Sequence, residues 1–195
     1  MVLQSLQVVM VVSLGVGRAA AEPAAADTFV RAQVDQLADV LAGGAADQFD
    51  VLRTRVRDVA DFDGFAKKAL GKTWAGLSAD EQKRFKAAMQ ELLESHYMNK
   101  PGAIFDKKKL TVTGATVVGE ITEVTTSVKR KDVDIGVVVR LELGPTTWIV
   151  EDVVIDGLSL LEDYRSQFAT YLKKKTIGEL IDKLKSKAKA NLAKK

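Results

Sequence analysis

The sequence predicts an α+β fold in which N-terminal helices are followed by a four-stranded antiparallel sheet and then by C-terminal helices. Three observations carry that prediction. Apolar residues up to Met98 recur at helical spacing, from Leu110 the repeat shortens to two residues, and beyond Gly157 it returns to the helical value. Helices, then strands, then helices is a segregated order, as α+β folds require.

Asp27 is placed to cap a first helix after the small-residue stretch Ala24–Ala26. Val30, Val34, Leu37 and Leu41 fall on one face, and Gly43-Gly44 ends it. A second helix starts near Asp47 and is expected to turn Phe49, Leu52, Val56 and Val59 inward. A third, short one carries Phe65, Leu70 and Trp74. Ser78-Ala79-Asp80-Glu81 has the spacing of a capping box, where serine and glutamate each satisfy the other's free amide. It opens the longest helix of this half, Ala79 to about Met98, with Phe85, Met89, Leu92 and His96 along one side and Pro101-Gly102 beyond its end.

Leu110–Glu120, Ile121–Arg130, Val133–Leu143 and Trp148–Ile155 read as four strands. In the third, Val133, Ile135, Val137, Val139, Leu141 and Leu143 share one face, and Asp134, Gly136, Val138, Arg140 and Glu142 share the other. Lys131-Asp132 and Gly144-Pro145 supply turns, so a meander is expected. The fourth strand passes into a helix through Gly157-Leu158-Ser159. Ser159 is the cap, and Tyr164, Phe168, Tyr171 and Leu172 form the helical face. Asp152 and Arg165 are expected to pair across this joint. Thr176-Ile177-Gly178-Glu179 is a second capping box, opening a helix with Ile177, Leu180, Ile181 and Leu184 inward. From Lys185 to Lys195 apolar residues thin out, and fraying is expected.

The chain has 195 residues, 47% hydrophobic and 28% charged, which suits a folded domain and excludes a disordered one. It has no cysteine and one histidine, His96, which removes disulfides, thiolate metal sites and multi-histidine metal sites. Val8–Val16 followed by Ala19-Ala20-Ala21 reads as an export signal cleaved before Glu22, although Met1–Gln7 carries no Lys or Arg. The apolar run is shorter than the ~20 residues of a membrane span. The expected division is a signal peptide over 1–21 and one domain over 22–195, with helices in 27–100, the sheet in 108–156 and the last helices in 159–193.

Catalytic patterns are missing from the sequence. Asp152 and Asp156 share a strand face about 13 Å apart at ~3.3 Å per residue, beyond the roughly 5–9.5 Å of a glycosidase pair. His96 belongs to no H-E-x-x-H pattern and is expected at the border of the core. Gly157-Leu158-Ser159-Leu160-Leu161 lacks the second glycine of a nucleophile elbow. There is no glycine-rich phosphate loop. The sequence points away from an enzyme and implies no cofactor. The formal charge of +3 includes three basic runs, Lys107–Lys109, Lys129–Lys131 and Lys173–Lys175. They read either as solvated turns or as a surface for anionic headgroups or an acidic protein. No zinc-finger, RNA-binding or helix-turn-helix signature accompanies them, so nucleic acid is not an expected partner.

Two blocks carry a resemblance. Asp152, Gly157, Ser159 and Tyr164-Arg165-Ser166-Gln167-Phe168 follow D-x4-G-x-S-x4-Y-R-S-Q-F. Asp61-Phe62-Asp63-Gly64-Phe65-Ala66, Leu70-Gly71-Lys72-Thr73-Trp74 and Leu77 to Phe85 form the other. Together, over roughly Val30 to Leu184, they resemble the MlaC, or toluene-tolerance, family of periplasmic phospholipid-binding proteins. The resemblance implies an apolar pocket between sheet and helices, where Trp74, Phe85, Met89, Leu92, Val137, Val139, Leu141 and Phe168 would line or border the acyl chains of a glycerophospholipid. Periodicity alone does not separate a packed core from a lipid-filled one, because both need apolar walls. The resemblance also implies shuttling between outer and inner membranes, with an inner-membrane MCE-domain protein of an ABC transporter and an outer-membrane lipoprotein complex as partners. Alternative readings are a carrier of another apolar lipid, such as a hopanoid or sterol, and a non-catalytic adaptor that binds proteins.

Overall fold

A computed structural model describes residues 23–44, 47–97, 110–130 and 133–193. The expected signal peptide, the Pro101-Gly102 break, the Lys107–Lys109 run and the Lys131-Asp132 turn lie outside the described residues. Four helices come first: α1 (Pro23–Gly43), α2 (Gln48–Val59), α3 (Phe62–Leu70), which tightens into a 3-10 segment (Gly71–Gly76), and α4 (Ala79–Tyr97). The strands are β1 (Leu110–Val118), β2 (Ile121–Arg130), β3 (Val133–Leu143), β4 (Trp148–Ile155) and β5 (Leu158–Ser159), and the chain finishes with α5 (Leu160–Leu172) and α6 (Ile177–Leu192).

Both capping boxes form. At α4, Ser78 accepts the Glu81 amide at 3.3 Å and Glu81 accepts the Ser78 amide at 2.9 Å. At α6, Thr176 and Glu179 do the same at 3.2 and 2.8 Å. Three local expectations are corrected. The helix α1 already includes Ala24–Ala26, because alanine is the best helix former. Asp27 therefore lies inside the helix, paired with Arg31 one turn on. In α2 the buried stripe is narrow, with Leu52 and Val56 against Leu37, Val40 and Leu41 of α1, and Phe49 stands outside it at 37% exposure. Finally, α6 continues to Leu192 rather than fraying from Lys185. Ala188 is buried in the helical core, and Asn191 donates to Ser95 Oγ at 3.3 Å.

The sheet has five strands, not four, in the order β1-β2-β3-β4-β5 with each neighbour antiparallel. The extra strand follows from Asp156-Gly157. Both residues take positive φ, 48° and 81°, which makes a two-residue hairpin turn matched to strand twist. Ile155 then pairs with Leu158, and Val154 with Ser159. Further back along the outer edge of β4, Ala60 makes a parallel bridge to Val150, and the Asp61 amide donates to the Val150 carbonyl at 3.1 Å.

Two principal apolar clusters result. Beneath α1, Ala26 and Val30 pack on Val112, Val124, Leu141 and Trp148 of the sheet. The other cluster is entirely helical. Phe65, Phe85, Met89, Leu92, Phe168, Leu180, Ile181 and Leu184 from α3–α6 form it without a single strand residue among those described. Phe85 and Met89 are fully buried there, each worth roughly 1.5–3 kcal/mol of transfer free energy.

Candidate functional site

The strand register defines one apolar sheet face. Across the strands run the rows Ala115–Val124–Val139–Val153, Val112–Thr126–Val137–Ile155–Leu158 and Leu110–Val128–Ile135. The cluster beneath α1 takes Leu110, Val112, Ala115, Val124 and Val139 from these rows, together with Leu141 beyond them. Val128, Ile135, Val137, Val153 and Ile155 are half-buried and lie outside the cluster beneath α1. At the rim, Val133 and Leu158 are 64% and 73% exposed. The face is thus covered at the Leu141 end and progressively less so toward Val133.

The eight residues expected at a lipid site divide between the two clusters. Leu141 is fully buried beneath α1 and Val139 is half-buried against the same cluster, while Val137 is not part of it. Phe85, Met89, Leu92 and Phe168 belong to the helical core, with Trp74 half-buried against it. The two groups have no member in common, so helix and strand residues are brought to different apolar clusters rather than together.

Two of the clefts on the surface of the described residues bear on the site. One, of about 360 Å³, lies between the end of α2 and the β3–β4 turn. Its walls include Asp58, Asp61, Glu142 and Glu151, a polar lining unsuited to acyl chains. Burial raises the Glu151 carboxyl, but hydrogen bonds with Glu142 and Lys68 and the Lys68 charge outweigh it, leaving the pKa below the ordinary value. The other is a narrow crevice of about 30 Å³ over Leu92 and Phe168, rimmed by Tyr164, Tyr171, Lys183 and Lys187. Among the described residues no three His, Asp or Glu converge as a metal site needs, and no helix is long and apolar enough to cross a membrane.

The motif residues that carry the resemblance meet at the joints of the fold. Asp61 caps α3 by accepting the Gly64 amide at 2.7 Å, and Gly64 leaves the room for it. Gly71, at φ 55° and ψ −127°, occupies a region open to glycine, and the Arg165 guanidinium lies 3.5 Å from where a β-carbon would stand. Phe65 meets Tyr164 edge-on at 6.2 Å, and Phe85 meets Phe168 at 5.6 Å. Ser159 caps α5, as the sequence indicates. The expected Asp152–Arg165 pair is not formed. Asp152 meets Arg140, its direct cross-strand neighbour, at 3.3 Å, while Arg165, a turn and a half into α5, pairs with Glu162 at 3.3 Å. Arg140 also holds Glu123 at 2.9 Å, so three charges meet on the polar side of the sheet. His96 is exposed near the end of α4, rather than at the border of the core.

Comparison with known proteins gives two findings. The family described as MlaC protein matches residues 18–186. Among solved structures, a phospholipid-binding protein from Ralstonia solanacearum, determined in complex with a phospholipid, superposes with a TM-score of 0.69 at 25% identity, covering 88% of this chain and 98% of that one. No curated protein sequence gives a significant match.

Proposed function

The chain belongs to the MlaC family, and on that premise we propose that it is a carrier that binds a glycerophospholipid by its acyl chains. The observation that carries this reading is the likeness, over 88% of the chain, to a protein holding a phospholipid. The apolar strand residues outside the α1 cluster, Val128, Ile135, Val137, Val153 and Ile155, supply a surface for it. In this proposal Val137, Ile155, Val128 and Ile135 line the cargo, Val139 and Leu141 border it beneath α1, and Trp74, Phe85, Met89, Leu92 and Phe168 shape the helical wall.

Acyl chains make no directional contacts, so shape and dryness decide binding. Two chains of about 30 methylenes in all gain roughly 24 kcal/mol on leaving water, at ~0.8 kcal/mol each. A bilayer offers nearly the same gain. The carrier therefore shields tails in transit, and direction comes from its partners. In this proposal the work is done in the periplasm, with an outer-membrane lipoprotein complex and the MCE-domain protein of an inner-membrane ABC transporter as the partners. Catalysis has no part in the proposal.

Solvent extraction of the purified protein, followed by mass spectrometry, tests it. About one glycerophospholipid per chain is expected. A hopanoid or sterol would replace the cargo assignment, and an empty protein that takes up no lipid from vesicles would overturn the carrier reading.

A further inference from the structure

The charge of the chain is unevenly placed. From Tyr171 to Lys195 there are nine lysines, no arginine and two acids, Glu179 and Asp182, a formal +7 where the whole chain carries +3. Everything before Tyr171 is therefore net acidic. In the structure seven of these lysines, all but Lys194 and Lys195, which lie outside the described residues, sit on the α5–α6 hairpin. Lys173, Lys174, Lys183, Lys185, Lys187 and Lys189 are exposed, and among the described residues none has a carboxylate at ion-pairing distance. Lys175 alone of the described lysines here is engaged, with Glu179 at 2.7 Å. Lys183 lies 4.3 Å over the Tyr171 ring, which with Lys187 and Tyr164 rims the crevice between the two helices.

Local structure accounts for part of this. Cations behind the last turn of α5 suit its dipole, which covers Lys173 to Lys175. Lys183 and Lys185 lie in the middle of α6, where no helix-end effect reaches. Six exposed cations repel one another, and without an anionic partner that repulsion only destabilises the hairpin.

We propose that the α5–α6 edge docks on an anionic phospholipid bilayer, to which the protein adsorbs by charge and not by insertion. Insertion is excluded by the packing, since Leu180, Ile181, Leu184 and Ala188, the apolar face of α6, are buried in the helical core. A bilayer is favoured over an acidic protein by residue type. Specific protein interfaces favour arginine, whose planar fork fixes geometry, and are depleted in lysine. A diffuse sheet of headgroup phosphates asks only for mobile point charges, which lysines provide. Tyr164 and Tyr171, half-buried, line the same crevice as Lys183 and Lys187. The inference does not rest on the cargo assignment.

Vesicle co-sedimentation of the whole purified chain tests it. Vesicles of phosphatidylglycerol mixed with phosphatidylcholine are expected to bind the protein at low ionic strength, and pure phosphatidylcholine vesicles are not. About 0.5 M salt should release it, since the screening length then falls to a few ångströms. K173E/K174E/K183E/K187E should lower the bound fraction at least about tenfold, given the attraction each lysine adds near such a surface. K67E/K72E/K83E, which reverses exposed lysines on α3, the 3-10 segment and α4, should retain most of it. If the reversal variant melts early, the same four positions changed to Gln provide the milder series. Lipid extracted in parallel should be unchanged, which separates docking from cargo capture. Wild type that ignores anionic vesicles, equal loss in both variants, or binding to polyglutamate without binding to vesicles would each overturn the inference.

Discussion

The Ser159 hydroxyl donates to Asp152 Oδ2 at 2.6 Å and accepts the Glu162 amide at 3.1 Å. One side chain thus fastens β4 to α5 and caps the helix it begins. Asp152, almost fully buried, also accepts the Leu161 amide at 3.0 Å. Ser159→Ala should cost about 0.5–2 kcal/mol, the usual worth of a cap. Asp152→Asn, which keeps the shape but loses the charge that Arg140 and the amides address, should cost about 1–3 kcal/mol. Urea unfolding gives both values. Co-purifying lipid should not change in either folded variant; its loss at unchanged stability would give Ser159 a role in binding.

Gly64 and Gly76 form a controlled pair. A β-carbon at Gly64 would stand 1.9 Å from Asp61 Oδ2, whereas one at Gly76 would meet nothing within 4 Å. Gly64→Ala should displace the cap and lower stability by about 1–2 kcal/mol or more, and Gly76→Ala should stay within about 0.5 kcal/mol. Thermal melts of the two proteins check the contrast. Equal melting temperatures would mean that the Asp61 cap contributes little.

Acid should loosen the α2–α4 contact through Glu94, which is 9% exposed. Burial raises its pKa, but hydrogen bonds from Arg57 at 2.6 and 2.7 Å and from Gln90, with the Arg57 charge, outweigh that, so the carboxyl is held below its ordinary value. A carboxyl lowered by folding stabilises the protein above its unfolded value, and that contribution is lost as the pH falls through the folded value. Glu94→Gln should therefore lose stability at neutral pH and show a flatter decline below about pH 4.5. Denaturant midpoints measured from pH 7 to pH 3 test the slope, and parallel curves for the two proteins would remove Glu94 as a cause of acid sensitivity.

Val137 and Val139 are two residues apart on the same strand face, yet they should respond differently to bulk. Val139 packs against the cluster beneath α1, so Val139→Trp should cost about 1–3 kcal/mol, the usual penalty of overpacking. Val137 lies outside that cluster, so Val137→Trp should lower the extracted lipid per chain while costing less than about 1 kcal/mol. Lipid extraction beside a melting curve for each variant is the measurement. Full lipid occupancy in Val137→Trp would move the cargo elsewhere.

Much of the architecture was legible in the chain. Four strand positions follow from period-two patterning, and for β2, β3 and β4 the ends coincide with those observed. Both capping boxes are local codes, fixed by residues three apart, and both form. The missed strand β5 had a local signal too. Asp156-Gly157 between apolar residues is a strong hairpin indicator, but beside Ser159 it reads equally well as a helix lead-in. The Asp152 partner was missed for another reason. Which arginine faces a strand carboxylate depends on cross-strand register, and Arg140 reaches Asp152 only because a bulge between Arg140 and Leu141 shifts β4. The candidate site was the least legible part. Periodicity tells which residues face inward, but Phe85 and Leu141 are equally buried in different clusters. Which inward face meets which is set by tertiary packing, and no window of sequence encodes it. The motif residues were visible throughout, yet Asp61, Gly64, Gly71 and Ser159 turn out to build joints.

The outer border of β4 carries one more implication. Ala60 and Asp61 occupy it near Val150, and β5 occupies it at Val154 and Ile155. A strand left bare there would offer its backbone amides and carbonyls to any extended peptide, including the same segment of another copy. With these positions taken, growth of the sheet from molecule to molecule is blocked on that side. On that side a second copy can approach through side chains alone, so contacts formed there come apart rather than propagate.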